Sequence, residues 1–249
     1  IELLHTATLV HDDIIDNSDL RRGKTTVNVA WSNSHGVLIG DFIYSKAFML
    51  MNEIGNFKVI DELSSATNKI AEGELMQLAN KNNLNTSLQQ LKKISYYKTG
   101  RLFEASAKSA AMLSGKSIPF IENISKAARL IGIAFQVRDD LLDYGVSKGN
   151  IGKPEMQDIL EDKITYPLYF ALKYSNKKDS SKILKKLKNK DFSIEEVADF
   201  VSSSNAFNKC NSLIQSYSNE ISKCINKISN KEIRDEMLNL SESLKNRYE

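Results

Sequence analysis

The sequence predicts an all-α fold, and three observations carry that reading. Only 3 prolines and 11 glycines interrupt 249 residues. Apolar residues recur at spacings of three and four, the period of a helix with one buried face. No run alternates apolar and polar residues as a half-buried strand would. Taken in order, the first helix spans about residues 1–16, on the apolar run Leu3-Leu4-His5-Thr6-Ala7-Thr8-Leu9-Val10-His11. The same period places helices near 37–54, 58–81 and 86–114. Next comes a helix near 118–145, carried by Leu130-Ile131-Gly132-Ile133-Ala134-Phe135-Gln136-Val137. Further helices fall near 164–175, 193–203, 206–228 and 230–247. The Lys-, Asn- and Ser-rich stretch from Lys173 to Asp191 reads as a solvated helix with loops. Asn17 to Gly36 and Gly145 to Lys163 are loops of functional character, each directly after an acidic cluster.

Residues 1–249 are read as one globular domain, 41% hydrophobic and able to bury a large core. The net charge of +3 and a pI near 8.6 are mild, so they require neither nucleic acid nor an anionic membrane as partner. Cys210 and Cys224 lack metal-site spacing and read as ordinary thiols of a reducing cytoplasm. No apolar run is long enough to span a bilayer and no signal peptide opens the chain, so a soluble cytoplasmic protein is expected. Ile1 stands within a helical pattern and without an initiator Met, which suggests that natural N-terminal helices precede it.

Two acidic clusters of one design stand 127 residues apart, Asp12-Asp13-Ile14-Ile15-Asp16 and Asp139-Asp140-Leu141-Leu142-Asp143. On a helix, Asp12 and Asp16 point one way, as do Asp139 and Asp143, so each cluster presents a carboxylate pair. Like charges at that spacing repel and call for cations to offset them. One cluster alone could be a solvated acidic turn. Two that end apolar helices in the same manner suggest helices facing each other across one cavity.

Asp12 to Lys24, which includes Arg21-Arg22-Gly23, together with Lys98-Thr99 and Phe135 to Asp143, resembles the trans-polyprenyl diphosphate synthase family. The resemblance is strongest to its long-chain members, octaprenyl diphosphate synthases above all. It runs from Ile1 to about Pro167 and continues weakly to the end. It implies the isoprenoid synthase helical bundle around a central cavity, a homodimer, and a prenyltransferase that condenses isopentenyl diphosphate head-to-tail onto an allylic diphosphate. It also implies magnesium, about three ions per site with diphosphate bound. Mg²⁺ prefers oxygen ligands shared between carboxylates, phosphates and water, and that suits a reaction whose leaving group is pyrophosphate. By resemblance Asp12, Asp16 and Asp139 are metal ligands, supported directly or through water by Asp13, Asp140 and Asp143. Arg21 would hold the allylic diphosphate and Arg22 and His5 the isopentenyl diphosphate, the guanidinium fork matching phosphate oxygens. Lys98, Thr99, Gln136 and Lys153 match the family's other allylic-diphosphate contacts, and Lys163 a later phosphate-side lysine. His11 is read as a structural residue. No side-chain general base is named, because in the family pyrophosphate takes the final proton.

Ala7 and Thr8 lie about one turn beneath the diphosphate, where bulk would plug a product channel; as small residues they leave it open. The floor then falls deeper, with Phe48, Met49, Leu50 and especially Met51 as candidates. The expected product is octaprenyl diphosphate, destined for quinone side chains. The chain departs from the family pattern in reading Gly152-Lys153-Pro154-Glu155-Met156-Gln157-Asp158 after the second cluster, and Glu161-Asp162-Lys163 where Glu-Gly-Lys is usual. A Gly-Lys-Arg motif that normally precedes these regions is not in the chain. Three rivals remain: a shorter-chain (farnesyl or geranylgeranyl) synthase, a class I terpene cyclase, which would need no second substrate, and a silent subunit of a heteromeric synthase, which would tend to lose the aspartates.

Overall fold

The computed structural model describes residues 1–145 and 156–245. The helices are α1 (Glu2–Ile15), α2 (Val27–Ala30), α3 (Asn33–Ile54), α4 (Phe57–Ala79), α5 (Leu88–Ser95), α6 (Arg101–Leu113) and α7 (Ile118–Asp143). They continue with α8 (Gln157–Leu160), α9 (Tyr166–Tyr174), α10 (Lys177–Asn189), α11 (Ile194–Ser203), α12 (Ala206–Ile225) and α13 (Lys231–Lys245). A two-residue ribbon pairs β1 (Leu20–Arg21) with β2 (Lys24–Thr25), Leu20 opposite Thr25 and Arg21 opposite Lys24.

The all-α expectation holds, with differences that have local causes. The helix expected from residue 37 begins at Asn33, because the Ser32 side chain accepts a hydrogen bond from the His35 N–H and so starts it a turn earlier. The single helix expected over 86–114 is broken by a π-helical turn, Tyr96–Gly100, between α5 and α6. The lysine-rich stretch forms α10, capped by Asn176. At the tip of the ribbon, Arg22 and Gly23 are both left-handed, with φ of 53° and 74°. This is the geometry of a two-residue turn between antiparallel strands.

Among the described residues, two main hydrophobic cores organise the bundle, beside a small third cluster of Ala111, Ile124 and Ile228. The larger is built on α7 with α9, α11 and α12, around Ile131, Val137, Leu141, Tyr166, Val197 and Ile221. The smaller joins α1, α3, α4 and α6 through Leu4, Ala47, Met51, Leu63 and Ala105. Glycine sets how closely the elements between them approach. A Cβ on Gly132 of α7 would fall 2.7 Å from Gly100 Cα, and one on Gly40 of α3 would fall 2.1 Å from the His11 ring. The first contact seats the π turn against α7, and the second seats α1 against α3. Among the described residues, no helix is long and apolar enough to cross a membrane.

Candidate active site

Both acidic clusters fall at the C-terminal ends of their helices, where unpaired carbonyls give the helix dipole its negative pole and favour nearby cations. α1 closes on Asp16 with Asn17 left-handed, the Asn17 N–H reaching Ile14 O and the Ser18 N–H reaching Asp13 O, at 3.3 and 2.9 Å. α7 closes on Tyr144 with Gly145 left-handed. Between these ends lies a cavity of about 470 Å³. His5, Asp12, Asp16, Arg21, Arg22, Lys98, Gln136, Asp139, Asp140, Asp143 and Lys163 all line it, with Leu9, Leu91, Ile94 and Phe135 forming apolar wall.

Four of the six aspartates are committed to protein partners. Arg21 donates to Asp13 Oδ1 from Nε at 2.9 Å and from Nη2 at 2.5 Å, and Asp13 is buried outside the cavity lining. Lys163 Nζ reaches both oxygens of Asp16 at 3.1 Å and also pairs with Glu161. Asp140 accepts from Gln136 Nε2 at 2.9 Å and from the Tyr166 N–H at 3.2 Å. Asp143 accepts from the Gln157 and Asp158 N–H groups at 3.0 and 3.2 Å. Among the described residues, no hydrogen bond or ion pair reaches the carboxylate of Asp12 or Asp139, and both residues line the cavity. Burial, reinforced by Glu74 and Asp16, pushes the Asp12 carboxyl up to about 6 against the pull of Lys98 and Arg21. Burial works the same way on Asp16, yet Lys163 and Lys98 hold it below the ordinary carboxylate range. Burial and the Asp158 charge raise Asp140.

The donor set consists of hard carboxylate oxygens, which suits Mg²⁺. Among the described residues, no three metal-ligating side chains converge into a ready-made cage. That too fits an ion that takes one or two carboxylates and completes its shell with phosphate and water. Lys98, carried by the π turn, pairs with Glu74 Oε1 at 2.7 Å and donates to Gln77 Oε1 at 3.0 Å. Burial would lower its pKa, but Asp12 and Glu74 raise it, so the ammonium stays charged. Thr99 lies outside the lining and donates to Gln136 Oε1 at 2.7 Å.

Sequence reasoning missed Glu74 and Gln77. Their signal is two polar residues three apart beside Gly73, whose Cβ position is blocked by Lys98 N at 2.7 Å. Ala7 is fully buried, the Thr8 hydroxyl donates to His5 O at 2.8 Å, and Met51 belongs to the smaller core; none of the three lines the cavity. Phe48, Met49 and Leu50 are exposed. His11 turns to α3, with Nε2 3.2 Å from Val37 O and its ring stacked on Tyr44. Lys153 lies outside the described residues, as does the loop from Gly152 to Glu155. Where a glycine was expected, Asp162 itself takes the left-handed conformation with φ of 61°. Its carboxylate is held there by Lys190 Nζ at 2.8 Å and Asn82 Nδ2 at 3.3 Å.

The sequence profile of the polyprenyl synthetase family matches residues 1–204. Octaprenyl diphosphate synthase of Escherichia coli (strain K12) is 43% identical over 183 residues, which is 74% of this chain and 57% of that protein. All-trans-nonaprenyl-diphosphate synthase (geranyl-diphosphate specific) of Rhodobacter capsulatus is 38% identical over 211 residues, 84% of this chain and 65% of that protein. The chain therefore spans between 57% and 65% of the length of these two relatives. Among solved structures, a polyprenyl synthase from Caulobacter crescentus CB15 complexed with calcium and isoprenyl diphosphate superposes with a TM-score of 0.93. It is 30% identical, and the match covers 100% of this chain and 76% of that one. A decaprenyl diphosphate synthase from Rhodobacter capsulatus superposes with a TM-score of 0.91 at 29% identity, over 100% of this chain and 77% of that one.

Proposed function

The chain belongs to the polyprenyl synthetase family, and on that premise we propose that it is a magnesium-dependent prenyltransferase. It condenses isopentenyl diphosphate head-to-tail onto an allylic diphosphate, farnesyl diphosphate, and releases octaprenyl diphosphate for quinone side chains. The observation that carries this reading is the cavity itself, into which both acidic motifs bring an uncommitted carboxylate, Asp12 and Asp139, close to Lys98, Arg21 and Lys163. The calcium and isoprenyl diphosphate named for the Caulobacter crescentus structure support a cation and a diphosphate as occupants.

The reaction breaks the allylic C–O bond, leaving pyrophosphate and an allylic cation, and then joins that cation to the double bond of the second substrate. Asp12, Asp16 and Asp139 would hold magnesium, which supplies positive charge against the departing diphosphate. Lys98, fixed by Glu74 and Gln77, presents an ammonium to the same oxygens. Arg21 reaches the cavity edge while bound to Asp13, and Arg22 and His5 face the isopentenyl diphosphate. Lys163 must exchange Asp16 for phosphate when the site fills. Leu9, Leu91, Ile94 and Phe135 give the cation apolar walls without a nucleophile. Asp13, Asp140 and Asp143 act by holding their neighbours, and pyrophosphate takes the last proton. Two acidic motifs 127 residues apart that open on one cavity support a single catalytic domain, and exposed Trp31, Leu38 and Phe42 support pairing with a second copy.

The test is product analysis with farnesyl diphosphate, labelled isopentenyl diphosphate and Mg²⁺, alongside a chelator control. Octaprenyl-length product that disappears with the chelator is expected. Elongation indifferent to the chelator, or none at all, would overturn the reading.

A further inference from the structure

Asp140 is a buried side chain, 6% exposed, and its two oxygens have different partners. Oδ2 accepts from the N–H of Tyr166, the first residue of α9, at 3.2 Å. Helix-start N–H groups have no partner within their own helix, so a carboxylate there is fixed by hydrogen bond and dipole together. Tyr166 is fully buried, and its hydroxyl meets Ser95 Oγ at 3.1 Å, tying α9 to α5. That leaves Oδ1, which accepts from Gln136 Nε2 at 2.9 Å, one turn back on α7. On its other side Gln136 accepts from the Thr99 hydroxyl through Oε1 at 2.7 Å.

A primary amide has two indistinguishable-looking ends, and its orientation is set by its partners. As a carboxylate Asp140 only accepts, so it selects the nitrogen end of Gln136, and Thr99 donates to the oxygen end that remains. An amide nitrogen carries two hydrogens and Asp140 takes one. Gln136 lines the cavity, and among the described residues no hydrogen bond takes the second.

We infer that Asp140 is a positioning residue and not a cation ligand: it holds Gln136 with an N–H toward the diphosphate. This rests on the proposed diphosphate-binding role of the cavity. It gives the middle aspartate of the second motif a task different from that of Asp139 beside it. If Asp140 were an amide, one of its two ends would have to be a donor. With its oxygen kept on the Tyr166 N–H, its nitrogen would face Gln136, turn that amide over, and aim an oxygen at the anion.

The test is titration calorimetry of Mg²⁺ and inorganic pyrophosphate, with Mg²⁺ half-saturation measured in the prenyl-transfer assay. Gln136→Ala is expected to weaken pyrophosphate about tenfold, the loss of one hydrogen bond to a charged group. Asp140→Asn should be worse, about thirtyfold, because it adds a repulsive oxygen. The double variant should recover to the level of Gln136→Ala, and Mg²⁺ half-saturation should change less than about twofold. Rescue of that kind is not expected from a purely structural defect. Additive losses, or a large rise in Mg²⁺ half-saturation with pyrophosphate affinity unchanged, would overturn the assignment. Should Asp140→Asn fail to fold, Thr99→Val loosens the opposite end of Gln136. It should cost about threefold, and nothing further when Gln136→Ala is already present; an equal cost in both backgrounds overturns the assignment. A protein that binds pyrophosphate without transferring prenyl groups would defeat the proposed function and leave this assignment open to the same titration.

Discussion

The two acidic motifs are spelled alike and end their helices alike, yet they are held by different chemistry. In the first, Asp13 and Asp16 are gripped by side-chain cations, Arg21 and Lys163. In the second, Asp140 and Asp143 accept from main-chain N–H groups at the starts of α9 and α8. On the proposed function, side-chain cations can be exchanged for magnesium and phosphate as the site fills, whereas a helix start cannot move without unpicking its packing. The first motif is the adjustable jaw and the second the fixed one. Among the described residues, only Asp12 and Asp139 occupy equivalent positions in both senses, uncommitted and facing the cavity.

The largest expected effect tests that division directly. Asp12→Asn should lower kcat by about 10²–10³-fold, the scale of losing one electrostatic element of a transition state. Thermal stability should be unchanged or higher, since a buried carboxylate is removed. Asp143→Ala should instead destabilise the fold by about 1 kcal/mol, the loss of a helix cap. Kinetics and thermal unfolding of both variants check the contrast, and reversed outcomes would dissolve it.

A smaller effect is expected at Lys163. Lys163→Met should raise KM for the allylic diphosphate about tenfold, because one charge-assisted contact is lost, and should leave Asp16 open to cations in the substrate-free protein. Steady-state kinetics and Mg²⁺ titration without substrate read the two parts separately. Tighter Mg²⁺ binding together with weaker diphosphate binding is the signature of an exchangeable counter-ion.

The smallest effect is a pH dependence peculiar to the first motif. The Asp12 carboxyl sits at about 6, above its ordinary 3.8. Its neutral form is the one the fold favours, so that contribution to stability is complete below the ordinary value and fades as pH rises through about 6. A cation on the carboxylate reverses the loss. The rise in Tm given by Mg²⁺ should therefore be a few degrees larger near pH 7.5 than near pH 5. Asp12→Asn should flatten the difference.

Much of this was legible in the sequence. The three-and-four periodicity located the long helices because each buries one face for several turns, and the two motifs pointed to one cavity because their helices end there. Helices as short as α2 and α8 leave no period to read. The π turn changes backbone register without changing hydrophobic pattern, so residues 86–114 looked like one helix. The division of labour among the six aspartates was hidden for a different reason. It is written in partners far along the chain: Lys163 stands 147 residues from Asp16, and Tyr166 belongs to another helix. Glu74 and Gln77 were missed because a lysine's counter-ion lies across a helix interface, outside the motif that carries the lysine.

The π turn has one more consequence. A π-helical turn holds one residue more than an α-helical turn, and here the surplus falls where Gly100 passes Gly132 and where Lys98 is aimed at the cavity. Deleting Tyr97 would let α5 and α6 fuse into a regular helix. The flanking helices would keep about the same facing, because the wide turn is what absorbs the surplus residue, but the bulged backbone that carries Lys98 and Thr99 would be lost. Lys98 and Thr99 would swing off their partners although each was still present. In this segment the spacing is as much a functional property as the residues, so insertions and deletions should be tolerated less well here than substitutions.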